Sequence, residues 1–249
     1  MKFNTLENEK LMGQAAAKLG AEAIRQAISN KGKATIIIAT GSSQFDMLQH
    51  LTEQEDIPWE KVQAFHLDEY VGLSAEHPAS FRKYLNERFV AKAKGLNKMT
   101  LVNADAEDLE AEIARLNALI AQEEVDVCLA GIGENGHLAF NDPPADLATY
   151  EPYIVVELDQ ACRQQQCNEG WFNGLADVPS KAISMSINQI LKSKKIILSV
   201  PGERKAEAVK NTVAKSISAD YPSSVLQGHA DCEIFLDVES ASLLPEKVS

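Results

Sequence analysis

The sequence predicts an α/β protein: one Rossmann-like domain over residues 1–249, with a mostly parallel sheet and helices on both faces. Two observations carry this expectation. Helix-period and strand-period segments alternate along the whole chain. No linker, low-complexity stretch or internal repeat interrupts them. At 249 residues and 45% hydrophobic, the chain has enough apolar side chain to bury a sizeable core.

Taken in order, residues 7–29 are rich in Ala, Leu, Ile and Gln with charges on one face. They read as an amphipathic helix that Gly32 helps to end. Residues 35–39, Thr-Ile-Ile-Ile-Ala, read as a buried strand, and 44–54 resume a helical period. Residues 62–67 are strand-like; a polar loop from Asp68 to His77 and a helix near 78–93 are expected to follow. A short strand at 99–102 and a charged amphipathic helix at 105–124 lead into a strand at 125–130. The remaining strand candidates are 154–158, 182–187, 195–200 and 233–238, with a helix at 203–215 between the last two.

In open α/β sheets, ligands sit beyond the carboxyl ends of the strands, near a topological switch point. Three loops at such ends carry unusual chemistry. The first is 131–144, Gly-Ile-Gly-Glu-Asn-Gly-His-Leu-Ala-Phe-Asn-Asp-Pro-Pro. Its glycines, Gly133 among them, let the backbone approach a ligand closely. It then presents His137, suited to proton transfer near neutral pH, with Asp142 five residues later. The second is Thr40-Gly41-Ser42-Ser43, where exposed backbone N–H groups at a helix start make an anion cradle. An ordinary N-cap would use the same residues, and the Gly-Lys-Ser/Thr ending of a Walker loop is absent. The third holds adjacent carboxylates, Asp68 and Glu69, which repel, so that partial burial raises at least one pKa. Asp68 there can serve as a general base toward an acidic C–H. His66 reads as core or as support for that loop.

A further strand-to-helix turn, Pro201-Gly202-Glu203-Arg204-Lys205, puts two cations where a helix dipole disfavours them unless an anion compensates. Lys205 or Arg204 is therefore a candidate phosphate ligand, with Arg163 a weaker one inside a polar run expected at the surface. Trp171-Phe172 is expected to anchor that segment in the core.

The net charge of −12 argues against a nucleic-acid partner, which needs a basic face. A small phosphorylated substrate stays allowed, because the global field is screened beyond about 8 Å at physiological salt. No apolar run approaches the roughly 20 residues of a membrane span, and the first residues lack a signal peptide's pattern. Cys128, Cys162, Cys167 and Cys232 show neither disulfide-framework density nor paired metal-ligand spacing. Free thiols in a reducing cytoplasm are expected, with no metal and no cofactor.

On these motifs the chain resembles the glucosamine-6-phosphate deaminase (isomerising) family, within the wider group that includes 6-phosphogluconolactonases. Thr40 to Ser43 resembles the family's phosphate loop. Leu67-Asp68-Glu69-Tyr70-Val71-Gly72-Leu73 with His77-Pro78-Ala79-Ser80-Phe81 is close to a deaminase signature. Residues 131–143 resemble the ring-opening loop, and Lys205 the phosphate-binding lysine. Lactonases carry an Asp-Glu-Arg type segment in place of Asp68-Glu69-Tyr70, which favours the deaminase branch.

The resemblance implies that His137 opens the sugar ring and that Asp68 carries the C2 proton to C1. Asn135 and Asp142 are implied as catalytic partners. Thr40, Gly41, Ser42, Ser43, Glu69, Gly133, Arg163 and Lys205 are implied to bind a small phosphorylated amino sugar. Three departures stand out. The family has Asp where this chain has Asn135, Glu where it has Asp142, and a phosphate-binding arginine near Gly170. An amide at 135 can accept a hydrogen bond from the imidazole but cannot stabilise imidazolium by charge. Arg163 is expected to replace the missing arginine. The competing expectations are a galactosamine-6-phosphate deaminase, a 6-phosphogluconolactonase-type hydrolase and a non-catalytic sugar-phosphate sensor. A homo-oligomer is allowed but not implied.

Overall fold

The computed structural model describes residues 1–168 and 170–245. Seven strands form the main sheet: β1 (Lys2–Leu6), β2 (Ala34–Ile38), β3 (Val62–His66), β5 (Lys98–Thr100), β6 (Val127–Ala130), β9 (Lys195–Val200) and β10 (Cys232–Asp237). Their order is β1-β10-β9-β6-β2-β3-β5, and every pairing is parallel. Three more strands, β4 (Asp68–Tyr70), β7 (Tyr153–Glu157) and β8 (Lys181–Met185), make a small antiparallel sheet in the order β4-β8-β7. The mostly parallel α/β expectation holds, with one correction. The segments at 154–158 and 182–187 do not join the main sheet; they pair with each other and with residues expected to be a polar loop.

Successive residues of β2 show why the strands read as unbroken apolar runs. Ile37 faces one core, with Phe65, Cys128, Ile196 and Leu236. Ile36 and Ile38 face the other, with Ala64, Leu129, Ile197 and Phe235. A strand buried on both faces has no polar side to show. Helix α1 (Glu9–Lys31) covers the second core with Ala16, Ala17, Ala21 and Ile24. It starts where the Asn8 side chain accepts from the Leu11 N–H and stops at Gly32, whose φ is 82°. Helix α2 (Phe45–Thr52) joins it there, while α4 (Leu109–Ile120), α6 (Ile187–Leu191) and α7 (Ala206–Ala214) serve the first core.

Near 78–93 the helix is α3 (Phe81–Leu85), which widens into one π-turn at Asn86–Val90. Its start explains β4. Glu69 is fully buried and accepts from the Ser80 hydroxyl and from the Arg82 and Phe81 N–H groups, capping α3. The remaining helix, α5 (Gln160–Asn168), buries Cys162, Gln165 and Gln166 and so overturns the expected surface run. An aromatic cluster of Tyr70, Phe140 and Phe172 holds α5 against β4, whereas Trp171 is 37% exposed. Among the described residues no helix is long and apolar enough to cross a membrane.

The chain runs outward from β2 through β3 to β5 on one side, and through β6, β9 and β10 on the other. The switch point lies between β2 and β6, where their carboxyl-end loops, 40–44 and 131–144, open a crevice.

Candidate active site

A cavity of about 550 Å³ fills that crevice, within the usual size for a small-molecule site. Thr40, Gly41, Ser42, Ser43, Asp68, Gly133, His137, Arg204 and Lys205 line it. At its base two turns share one design. Gly41 (φ 99°, ψ 164°) leads from β2 into a 3-10 turn, Ser42–Gln44, and then α2. Gly202 (φ 87°, ψ 149°) leads from β9 into Glu203–Lys205 and then α7. Both backbones take left-handed φ values that favour glycine. Gln44 ties the turns together: its buried Nε2 donates to the Ser199 carbonyl (3.2 Å) and to Ser43 Oγ (3.1 Å). The Gly202 N–H is committed to both Asp237 carboxylate oxygens, at 3.1 and 3.0 Å. That N–H is therefore spent, and the side chains of Lys205 and Arg204 bring positive charge to this half of the cavity wall. Arg204 reaches across to Glu134 at 3.4 Å.

Asp68 sits in the wall, 6% exposed. Burial, and then the neighbouring Glu69 charge, push its carboxyl up to about 8. Burial raises Glu69 as well, against the pull of its four hydrogen bonds. A carboxylate poised near the working pH and open to a cavity suits proton abstraction.

His137 lines the same cavity, and its ring rests flat on Gly133. A Cβ at 133 would stand 2.3 Å from Nε2 and Cε1, so only glycine allows the approach. The other ring nitrogen, Nδ1, meets Asp142 Oδ1 at 3.0 Å. An ionised carboxylate there fixes the proton on Nδ1 and leaves Nε2 as acceptor toward the cavity. Burial pushes Asp142 up, but hydrogen bonds from His137, Asn135 and Cys162 outweigh it and hold the carboxyl below its usual range.

Several sequence-derived assignments change. Asn135 does not touch the imidazole. Its Nδ2 donates to Asp142 Oδ1 at 3.0 Å and its Oδ1 accepts the His137 backbone N–H at 3.1 Å. The negative charge facing the histidine comes from Asp142, so the amide at 135 removes none of it. Glu69 is no wall residue; it is spent on capping α3. Arg163 turns away from the cavity, donating to the Leu175 and Val178 carbonyls at 2.8 Å each. It cannot stand in for an arginine near Gly170 without giving up both. His66 is wholly buried beneath β4.

Sequence reasoning missed Gln165 and Gln166, which line the cavity from α5. Gln166 Oε1 accepts the Tyr70 hydroxyl at 2.6 Å, and Gln165 Oε1 accepts the Glu134 N–H at 3.3 Å. Their signal was the i, i+3, i+4 spacing of Cys162, Gln165 and Gln166, hidden by polarity. It also missed Phe81 and Phe140, and the acids Glu9 and Glu239 on the cavity wall.

The model of the glucosamine-6-phosphate isomerases/6-phosphogluconolactonase family matches residues 7–234. The chain belongs to this family. Within it, a glucosamine-6-phosphate deaminase of Listeria monocytogenes is 39% identical over 246 residues, covering 98% of this chain and 100% of that protein. One from Streptococcus pneumoniae is 37% identical over the same length. Among solved structures, a monomeric glucosamine-6-phosphate deaminase superposes with a TM-score of 0.88 at 34% identity, over 98% of this chain and 100% of that one. A family member from Shewanella baltica, a 6-phosphogluconolactonase, shares the fold at a TM-score of 0.80 and 20% identity, over 95% and 97% of the two chains.

Proposed function

We propose that the protein converts glucosamine 6-phosphate and water to fructose 6-phosphate and ammonia, as a single sugar-phosphate domain in a reducing cytoplasm. The observation that carries this is the pairing, on one cavity, of a carboxylate raised to about 8 with a histidine backed by Asp142. Aldose-to-ketose conversion with ring opening needs two proton carriers of this kind. The deaminase relatives, matched end to end, support the substrate.

In this reading His137 Nε2 takes the proton from the anomeric hydroxyl and returns it to the ring oxygen, opening the ring. Asp142 holds the imidazole in the required tautomer. Asn135 holds Asp142. Asp68 then removes the C2 proton, and the electron pair forms a C1–C2 double bond as the C1=O π pair moves onto O1. O1 takes a proton from water, giving an enolamine. Asp68 returns its proton to C1 as the nitrogen lone pair forms C2=N, leaving an iminium at C2. Water adds there, ammonia departs, and the proton taken up at O1 is given back to solvent. Lys205 and the 40–43 loop bind the 6-phosphate, with Arg204 within reach if it releases Glu134.

Incubating the pure protein with glucosamine 6-phosphate, galactosamine 6-phosphate and 6-phosphogluconolactone tests the proposal. Ammonia and fructose 6-phosphate from the first, at the highest kcat/KM, are expected. Preference for the second would move the assignment to the C4 epimer. Acid release from the lactone alone would make it a hydrolase, and no turnover would leave a sensor.

A further inference from the structure

We propose that His137, Asp142 and Cys162 form a binding site for a thiophilic divalent cation, zinc by its donor set, that silences the histidine. The sequence offered no metal-ligand spacing, but the fold brings α5 against the 131–144 loop. One ligand atom from each residue, an imidazole nitrogen, a carboxylate oxygen and Sγ, lies within 4.8 Å of the other two. Zinc bonds of about 2.0–2.3 Å put tetrahedral ligands about 3.3–3.6 Å apart, so side-chain shifts of about an ångström close the site. A mixed N, O and S set suits zinc or cobalt, not magnesium or calcium, which take oxygen ligands.

The surroundings also fit a cation. Asn135 Nδ2 holds Asp142 at 3.0 Å, and the Cys162 backbone N–H is anchored to Asp159 Oδ1 at 2.6 Å, so two of the three ligands are braced. The carboxylates of Asp142 and Asp159, the first a proposed ligand and the second bonded to the Cys162 backbone N–H, put negative charge where a dication would sit. Cys162 carries no proton in the deamination steps, although its thiol hydrogen-bonds Asp142, and the route in is the cavity that His137 lines.

Binding is a proton exchange. Zinc bonds Sγ as the Cys162 proton leaves to solvent, and bonds Nδ1 as that nitrogen's proton moves to Nε2. The imidazole then presents N–H to the cavity instead of a lone pair. It can no longer accept the anomeric proton. The loss of activity rests on the deaminase reading; the metal site does not.

Cobalt(II), which substitutes for zinc, is the probe, read without substrate. One equivalent should give the wild-type protein a near-ultraviolet thiolate-to-cobalt charge-transfer band that zinc bleaches and that both Cys162→Ser and Cys162→Ala lack. In the ammonia assay, zinc should inhibit the wild type reversibly to EDTA. With each protein measured against its own zinc-free rate, Cys162→Ser should need about 10–100-fold more zinc than the wild type for the same fractional inhibition. No band in the wild type, or a band surviving in Cys162→Ala through Cys167, would overturn the site. Equal zinc sensitivity in wild type and Cys162→Ser would overturn the silencing. A protein that shows the band but deaminates no amino sugar phosphate would fail the functional reading alone.

Discussion

As the proposed base, Asp68 combines two properties that oppose each other: it must ionise to act, and its surroundings resist ionisation. The acid limb of kcat/KM is therefore expected near pH 8, where burial and Glu69 have moved the carboxyl. Asp68→Asn should bind a phosphorylated ligand normally and lose roughly 100-fold or more in turnover. A midpoint below pH 6 in the wild-type profile would remove Asp68 as the base. Gly133→Ala is the complementary test on His137. The new methyl would displace a ring 2.3 Å away, so turnover should fall by about 100-fold or more with the thermal midpoint little changed. Full activity in that variant would mean that the imidazole can move without consequence. Much of this site was legible in the chain, because His137 and Asp142 are five residues apart on one loop and Asp68 follows the carboxyl end of β3. The partner of Asn135 was not. Which way an amide points in a loop depends on neighbours that no spacing encodes, and the same holds for Arg163, captured by two carbonyls from a later segment.

Elements were legible in proportion to their burial. The strands of the main sheet's interior, such as β2 and β9, announce themselves because both faces must be apolar. Strand β1 is a half-exposed edge, and β4 is three residues with two acids, so neither carries a pattern to read. What makes β4 a strand is Glu69 reaching the start of α3. Glu69→Ala should cost about 2–4 kcal/mol by stranding several buried donors, with KM for the sugar phosphate unchanged. A rise in KM without loss of stability would return Glu69 to the substrate site. The turn entering α7 gives the opposite expectation. Lys205→Ala should raise KM for the phosphorylated substrate by about 10–100-fold, the worth of a charge-assisted contact, and much less for an unphosphorylated sugar. Equal losses for both would mark Lys205 as a prop of the fold.

Across the whole molecule, two buried groups set opposite pH responses. Burial, and then the Arg82 charge, push His66 down to about 3, so the folded protein keeps it neutral while the unfolded chain protonates it near 6.5. Its contribution is complete above pH 6.5 and is lost as the pH falls from there. Asp68, raised to about 8, stays protonated in the folded state when the unfolded chain has ionised it. Its contribution is complete below pH 3.8 and is lost as the pH rises toward 8. Between pH 4 and 6.5 the two slopes, each about 1.4 kcal/mol per pH unit, oppose each other, and Glu69, also raised, adds to the downward one. Unfolding free energies from denaturant titrations should fall by about 2 kcal/mol from pH 6.5 to 8 through Asp68, where His66 no longer compensates. In Asp68→Asn that fall should largely disappear, which is the cost of the proposed base made visible. A wild-type stability that rises steadily to pH 8 would contradict the Asp68 shift. The sheet's edge has a consequence of another kind. Among the described strands β1 pairs only with β10, Lys2 opposite Glu233 and Leu6 opposite Asp237. During synthesis β1 therefore has no hydrogen-bonding neighbour until β10 has been made. The crevice can take shape around β2 and β6 well before then, while β1 waits to be stitched on.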